Sequence, residues 1–132
     1  MPTRKRRVFV SFDFDNDKAL KDFIVGQVKN EDFPFEITDM SMKEAAPEKE
    51  WLEEAEERIK RSDTMLIMLG PKTNKAPGVL KEVKIASKLE KNRFQMIGYK
   101  DGDYTPVSDG GRVYSWNWDN LKKLLAPIST LT

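Results

Sequence analysis

Short apolar segments alternate with amphipathic segments along most of this chain. The apolar segments are rich in β-branched and aromatic residues, and their length is typical of buried strands. The segments between them carry apolar residues at helical spacing. Strands are predicted at Arg7–Phe12, Phe35–Asp39, Thr64–Leu69, Gln95–Tyr99 and, as a short edge strand, Val113–Ser115, and helices at Asp17–Lys29, Pro47–Arg61, Gly78–Lys91 and Asn117–Leu125.

Regular alternation of strand and helix predicts a parallel sheet that is covered by helices on both faces. The first, third and fourth predicted strands are the most apolar, which places them in the centre of the sheet. This arrangement fits the flavodoxin-like strand order 2-1-3-4-5. We therefore predict an α/β fold, a flavodoxin-like three-layer sandwich, and a single domain over residues 1–132.

The composition excludes several classes of chemistry. The chain has no cysteine and no histidine, so thiol nucleophiles, imidazole metal ligands and histidine-dependent triads are all excluded. A formal net charge of +1 gives no general attraction to nucleic acids or membranes, and the longest apolar run, Met65–Leu69, is far too short to span a bilayer. We expect a cytoplasmic protein without a metal or a resident cofactor, whose chemistry depends on carboxylates, lysines, hydroxyls and the backbone.

One acidic residue falls on the apolar side of a predicted helix. On a helical wheel of about 100° per residue, Glu82 lies between Ala86 and Leu89, inside the apolar arc. A buried carboxylate requires a partner or a function. Two interpretations stay open here. Glu82 is either a functional group or a structural carboxylate that is bonded to backbone amides or paired with Lys72, Arg7 or Lys100.

The loop Gly70–Pro77 connects the predicted third strand to the helix that carries Glu82. In an open α/β sheet, ligands bind beyond the carboxyl ends of the strands, at the point where the strand order reverses. This loop and the loop Asp13–Asp17 both border that point, and Thr73 and Asn74 can present a hydroxyl and an amide there. The buried acid therefore falls where a crevice is expected.

Three alternating acids, Asp13, Asp15 and Asp17, follow the first predicted strand. They can bind a divalent cation or contact a ligand, although the EF-hand spacing fails because Lys18 stands where that loop requires glycine. Alternatively, Asp15, Asn16 and Asp17 cap the first helix, whose N-terminus favours acids. The sequence leaves both interpretations open.

The segment Asp39–Ala46 follows the second predicted strand. Ser41 and Glu44 have the spacing of a capping box, in which a serine hydroxyl and a glutamate satisfy the first amides of a helix. The same segment can instead form a mobile loop over the crevice. The first interpretation is purely structural, whereas the second brings Ser41 close to a ligand.

Taken in order, several motifs resemble those of the TIR-like domain family. They are RVFVSF at Arg7–Phe12, the lead Arg61-Ser62-Asp63 into TMLIMLG, and Thr73 followed by GVLKEV. The resemblance spans about Arg7–Tyr99, and it is strongest to the branch found in Thoeris antiphage systems and in archaeal and bacterial single-domain proteins. It implies the same flavodoxin-like sheet that the alternation predicts.

The resemblance also implies an activity. Catalytic TIR domains cleave NAD, as a substrate, at the nicotinamide–ribose bond, and Glu82 matches their essential glutamate. Its implied role is to hold the ribose hydroxyls and to stabilise the oxocarbenium-like transition state as neutral nicotinamide leaves. The resemblance further implies that Phe12 and Asp13 contact the nucleotide. It implies that Asp39–Ala46, which contains Ser41, is the mobile loop through which two TIR domains often build a shared active site.

The implied partners are NAD, a second TIR domain and, in Thoeris-type members, a separate effector that is activated by a cyclised or conjugated ADP-ribose product. Many TIR domains carry tryptophan four residues before the glutamate, where this chain has Gly78. Either the pocket wall is built differently here or the site is impaired. Two further interpretations fit the same pattern: a non-catalytic TIR-like adaptor, and a deoxyribosyltransferase-like enzyme that releases a base from deoxynucleosides.

Overall fold

The computed structural model describes residues 3–29, 33–99 and 102–129. Its central sheet has five parallel strands in the order β2-β1-β3-β4-β5. This order confirms the flavodoxin-like arrangement that the sequence predicts. The strands are β1 (Arg6–Ser11), β2 (Phe35–Met40), β3 (Thr64–Leu69), β4 (Asn92–Ile97) and β5 (Val113–Ser115).

Four α-helices cover the two faces of this sheet, so the predicted three-layer sandwich is also confirmed. They are α1 (Lys18–Val28), α2 (Glu48–Lys60), α3 (Pro77–Lys88) and α4 (Trp118–Leu124). One core joins the sheet to α1 and α4, through residues that include Leu20, Ile24 and Leu121. The other core joins it to α2 and α3, through residues that include Ile59, Val79, Val83 and Ala86.

The central strand β3 is buried at all of its positions. Leu66 and Met68 belong to the core on one face, whereas Met65, Ile67 and Leu69 belong to the core on the other. A strand that is covered on both faces needs a continuous apolar sequence rather than an alternating one. TMLIML is therefore the part of the sequence that most strongly specifies the middle of the sheet.

Two elements differ from their predicted bounds by more than one residue. Strand β4 begins at Asn92 rather than Gln95 and ends at Ile97. Helix α3 ends at Lys88 rather than Lys91, because Glu90 adopts a left-handed φ of 56°, which terminates a helix.

The Ser62-Asp63 motif has a structural role. The Asp63 carboxylate accepts a hydrogen bond from the backbone N–H of Arg7 (2.8 Å) and pairs with the guanidinium of Arg4 (2.7 Å). The hydroxyl of Ser62 donates to the carbonyl of Ile59 at the end of α2 (2.6 Å). The motif thus fixes the start of β3 relative to β1. No helix in the described part of the chain is long and apolar enough to cross a bilayer.

Candidate functional site

The Glu82 side chain is completely buried, with an exposed fraction of 0%. This confirms its place on the apolar side of α3. The helix begins at Pro77, which follows a short 3-10 turn at Thr73–Lys75. Proline suits the first position of a helix because its missing N–H would have no partner there. The turn and the proline together set where α3 starts and so which way Glu82 points.

Two serine hydroxyls hold one oxygen of the Glu82 carboxyl group. Its Oε1 accepts hydrogen bonds from Ser11 Oγ at 2.8 Å and from Ser41 Oγ at 2.5 Å. The Ser41 hydroxyl in turn accepts a hydrogen bond from the backbone N–H of Phe12 at 3.0 Å. Ser11 ends β1 and Ser41 directly follows β2, so the strand order brings both hydroxyls to α3.

The second oxygen, Oε2, is buried and has no hydrogen-bond partner within residues 3–29, 33–99 and 102–129. A narrow cavity of about 30 Å³ lies beside the carboxyl group. That volume is far below the roughly 300–1,000 Å³ of pockets that bind small molecules. Its lining comes from Glu82 and three chain segments: residues 12–15, three residues of the loop after β2 (Ser41, Met42 and Glu44), and Ala76–Val79.

Burial raises the pKa of Glu82 to about 8, because a charged carboxylate loses its hydration there. Hydrogen bonds from Ser41 and Ser11 lower the pKa, and the nearby charge of Glu44 raises it. The predicted ion pairs of Glu82 with Lys72 and Arg7 are wrong. Arg7 instead pairs with Asp63 at the opposite end of β1, and Lys72 lies exposed in its loop. Lys100 lies outside the described residues.

The segment from Ser41 to Pro47 crosses the mouth of the cavity, and Lys81 holds it there. The Lys81 ammonium group forms ion pairs with Glu44 (2.8 Å) and Glu48 (2.7 Å). The indole N–H of Trp51 donates to the carbonyl of Lys43 in the same segment (3.1 Å). The segment is therefore fastened to α2 and α3 on either side of the opening.

The predicted capping box is wrong. Helix α2 begins at Glu48, with Pro47 as its N-cap residue and no side-chain capping bond. Ser41 and Glu44 lie too far before that helix to cap it. The Ser41 hydroxyl is committed to Glu82, and the Glu44 carboxylate to Lys81.

Gly78, at the position where the resemblance places tryptophan in many TIR domains, lies next to Glu44. A Cβ atom added to Gly78 would lie 3.4 Å from the Glu44 carboxylate, an ordinary van der Waals distance. Alanine would therefore fit at this position, and the Glu44 side chain lies in the space that a longer side chain would enter.

Thr73 and Asn74 do not line the Glu82 cavity, so the prediction that they open onto it is wrong. The Thr73 hydroxyl is completely buried and bonds elsewhere. It accepts from the backbone N–H of Gly70 at 2.7 Å and donates to Asp17 Oδ2 at 3.4 Å. Asn74 is half-buried in the same turn. A role for either residue in substrate binding stays a prediction.

Asp17 occupies the N-cap position of α1 but makes no side-chain capping bond. Its carboxylate accepts hydrogen bonds from Tyr99 (3.0 Å) and Thr73 instead. Desolvation raises the pKa of Asp17, and it raises the pKa of Tyr99 to about 12. A Cβ atom on Gly70 would collide with the Asp17 carboxylate, which explains the glycine at the end of β3. Asp17 therefore stands at the predicted N-cap position, but its side chain does not cap the helix.

Asp13 is 5% exposed and borders the Glu82 cavity, while its carboxylate accepts a hydrogen bond from Asn16 at 2.8 Å. It therefore faces the site and stabilises its own turn. The described residues contain no group of three or more acidic, histidine or cysteine side chains that could hold a metal ion.

Sequence reasoning missed Ser11, Phe14 and Lys81 as parts of the site. Ser11 carries a signal, because it is a polar residue directly after the apolar run Val8–Val10 of β1. Phe14 is exposed (37%) at the cavity, with its ring 5.9 Å from that of Phe12. Lys81 carries no signal, because its role depends on a segment nearly forty residues earlier in the chain.

Comparisons with known proteins decide the family. The protein-family model for the TIR-like domain of the Thoeris protein ThsB matches residues 9–101 of this chain. These residues include Glu82, Ser11 and Ser41. The chain belongs to this ThsB TIR-like family. The crystal structure of a prokaryotic SEFIR domain resembles this ThsB-family domain with a TM-score of 0.51 and 18% identity, over 89% of this chain and 92% of the other. That likeness concerns the fold alone. The comparison with curated proteins gave no match.

Proposed function

We propose that this ThsB-family domain cleaves NAD at the nicotinamide–ribose bond and that Glu82 is the catalytic carboxylate. The observation that carries the proposal is the geometry of that side chain. One oxygen is fixed by two serines. The other is buried next to a cavity at the carboxyl ends of the strands and has no hydrogen-bond partner among the described residues. A desolvated acid beside a cleft is a candidate functional group.

The chemistry requires a negative charge beside the anomeric carbon. When the bond between ribose C1′ and the nicotinamide nitrogen breaks, its electron pair goes to the nitrogen, and positive charge develops on the ribose. An ionised Glu82 stabilises that charge strongly because the buried site has a low effective dielectric constant. Ser11 and Ser41 prevent the carboxylate from rotating, so that Oε2 stays directed at the substrate.

The rim of the cavity supplies groups for the rest of the nucleotide. The exposed ring of Phe14, beside Phe12, offers an aromatic surface for stacking. Asp13 can accept hydrogen bonds from ribose hydroxyls. After nicotinamide leaves, water or another nucleophile attacks C1′, and the product is ADP-ribose or a cyclised or conjugated form of it. We propose that this product is the signal that activates a separate effector in antiphage defence.

Substrate entry requires the segment from Ser41 to Pro47 to move, because a cavity of about 30 Å³ is far too small for a nucleotide, whose pockets are roughly 300–1,000 Å³. The Lys81 ion pairs oppose that movement. We expect Lys81→Met to lower KM for NAD roughly two- to tenfold with little change in kcat, because ion pairs near the surface are worth roughly 0.2–1 kcal/mol each. Initial rates over a range of NAD concentrations measure this, and Lys75→Met, on the exposed turn before α3, is the matched control.

The direct test of the proposed function is chromatographic detection of nicotinamide after incubation of the purified chain with NAD. Release of nicotinamide that scales with protein concentration supports the proposal. Absence of release, both for the chain alone and for the chain at concentrations that favour assembly, would leave the adaptor interpretation. Release of a free base from deoxynucleosides, without cleavage of NAD, would indicate deoxyribosyltransferase chemistry.

A further inference from the structure

The cavity beside Glu82 has an acidic lining. No lysine or arginine of the described chain lines it, whereas four carboxyl side chains do: Asp13, Asp15, Glu44 and Glu82. The cavity that is proposed to receive a nucleotide thus presents charge of one sign. A lining of this kind attracts a cationic part of a ligand and repels an anionic part.

Two of these acids, Asp13 and Asp15, lie on a loop that hydrogen bonds hold in place. The backbone N–H of Asp17 donates to the carbonyl of Asp13 at 2.9 Å, and Asn16 donates to the Asp13 carboxylate at 2.8 Å. The Asp17 carboxylate accepts from Tyr99, just after β4, at 3.0 Å. Neither Asp13 nor Asp15 forms an ion pair with any described residue. Their charges therefore stay at the site when the segment after β2 moves.

Positive charge also lies close to the cavity. The N-terminal end of α3 lines it through Ala76–Val79, and a helix N-terminus is equivalent to roughly half an elementary charge. The charges of two unpaired carboxylates exceed this half-charge. The Lys21 ammonium group lies 6.0 Å from the centre of the Phe14 ring but does not line the cavity. A phosphate beside Phe14 could reach it, so the experiment must include Lys21.

We propose that this site recognises the cationic nicotinamide riboside part of its substrate and makes no attractive contact with the phosphates. The proposal rests on the proposed assignment of the Glu82 cavity as the nicotinamide site. The oxidised nicotinamide ring carries one positive charge, which Asp13 and Asp15 attract, whereas each phosphate is negative. The buried Oε2 of Glu82, which has no partner among the described residues, borders the same cavity. The acids and the proposed catalytic group thus meet the same end of the substrate.

Isothermal titration calorimetry with nicotinamide riboside and nicotinamide mononucleotide tests the proposal, because these ligands differ by one 5′-phosphate. Full-length Glu82→Gln is the background in every titration, so that cleavage does not consume the ligand. We expect the mononucleotide to bind roughly two- to fivefold more weakly than the riboside. This ratio should fall at high salt, because salt screens exposed charges. Adding Asp15→Asn should remove most of the difference, by weakening the riboside and strengthening the mononucleotide.

The matched control is Asp119→Asn, which removes an exposed carboxylate on α4, outside the cavity lining. We expect it to leave the ratio unchanged. We also expect Lys21→Met to weaken neither ligand more than about twofold. Three results would overturn the proposal: tighter binding of the mononucleotide than of the riboside, a ratio that Asp15→Asn does not change, or a loss of affinity for the mononucleotide alone in Lys21→Met.

The same titrations separate this proposal from the proposed cleavage of NAD. If neither ligand bound, both proposals would be overturned. If the riboside bound more tightly, as expected, but the wild type released no nicotinamide from NAD, recognition of the cationic part would be supported and cleavage would not.

Discussion

Replacing Glu82 with glutamine is expected to reduce nicotinamide release from NAD at least about 100-fold. Glutamine has nearly the same volume, and its amide oxygen can still accept hydrogen bonds from Ser11 and Ser41. It cannot carry the negative charge that offsets the developing charge on the ribose, and loss of one such electrostatic contact costs about 10²–10³ in rate. The measurement is the chromatographic rate of nicotinamide release by variant and wild type at equal concentration.

The control for this experiment is Glu90→Gln, which removes an exposed carboxylate just beyond the C-terminal end of α3. We expect this variant to release nicotinamide at the wild-type rate. Equal circular dichroism spectra would show that neither substitution changes the fold. If the Glu82 variant cleaved NAD as fast as the wild type, the carboxylate would have no part in the reaction, and its burial would be only structural.

The second large effect is on the pH dependence of stability. Glu82 has a pKa near 4.5 when unfolded and about 8 when folded. Between these values the folded protein holds more protons than the unfolded chain, so its stability falls as the pH rises. We expect a loss of at most about 1.4 kcal/mol per pH unit, and roughly 3–5 kcal/mol over the whole window. This loss of stability is absent below about pH 4.5 and complete above about pH 8.

Urea unfolding of the wild type and of Glu82→Gln at several pH values between 5 and 8 measures this effect. The variant lacks the ionisable group and does not lose this stability. As the pH rises, its unfolding free energy should therefore increase by several kcal/mol relative to that of the wild type. The raised pKa of Asp17 acts in the same direction but equally in both proteins, so the comparison isolates Glu82. Parallel stability curves for the two proteins would contradict the prediction.

The fold could be predicted from the sequence because its strongest signals are local. TMLIML is long enough for a strand and apolar on both faces, which requires a central position between two layers of helices. The helices show a 3.6-residue period, and the burial of Glu82 follows from the same geometry. The ends of elements were less predictable. Helix α3 stops early because of the conformation of Glu90, which no periodic pattern announces.

The partners of Glu82 could not be predicted, because they depend on tertiary register. Ser11 and Ser41 reach the carboxyl group only because β1 and β2 are adjacent and end at the same edge of the sheet. Thr73 lies near Glu82 in sequence, yet its hydroxyl bonds to Gly70 and Asp17. Proximity in sequence was therefore a poor guide to contact, because the turn before α3 directs the Thr73 hydroxyl towards Asp17 rather than towards Glu82.

The contacts of Lys81 also could not be predicted from the sequence. The sequence indicates that Lys81 is on the polar side of α3, but not that it pairs with Glu44 and Glu48 across the mouth of the cavity. The neighbour of Gly78 could not be predicted from the sequence for a similar reason. Only the structure shows that Glu44 fills the space above this glycine.

We interpret Glu82 as a desolvated carboxyl group that meets a cationic substrate. Its ¹³C-carboxyl resonance, assigned by comparison with Glu82→Gln, can be followed by NMR as a function of pH. We expect a midpoint near pH 8 for the free protein. We expect a clear downward shift when a non-cleavable NAD analogue that keeps the positively charged nicotinamide ring is bound, because that charge favours the ionised form. A midpoint near the ordinary value of 4.5, or one that the analogue does not move, would exclude this role for Glu82.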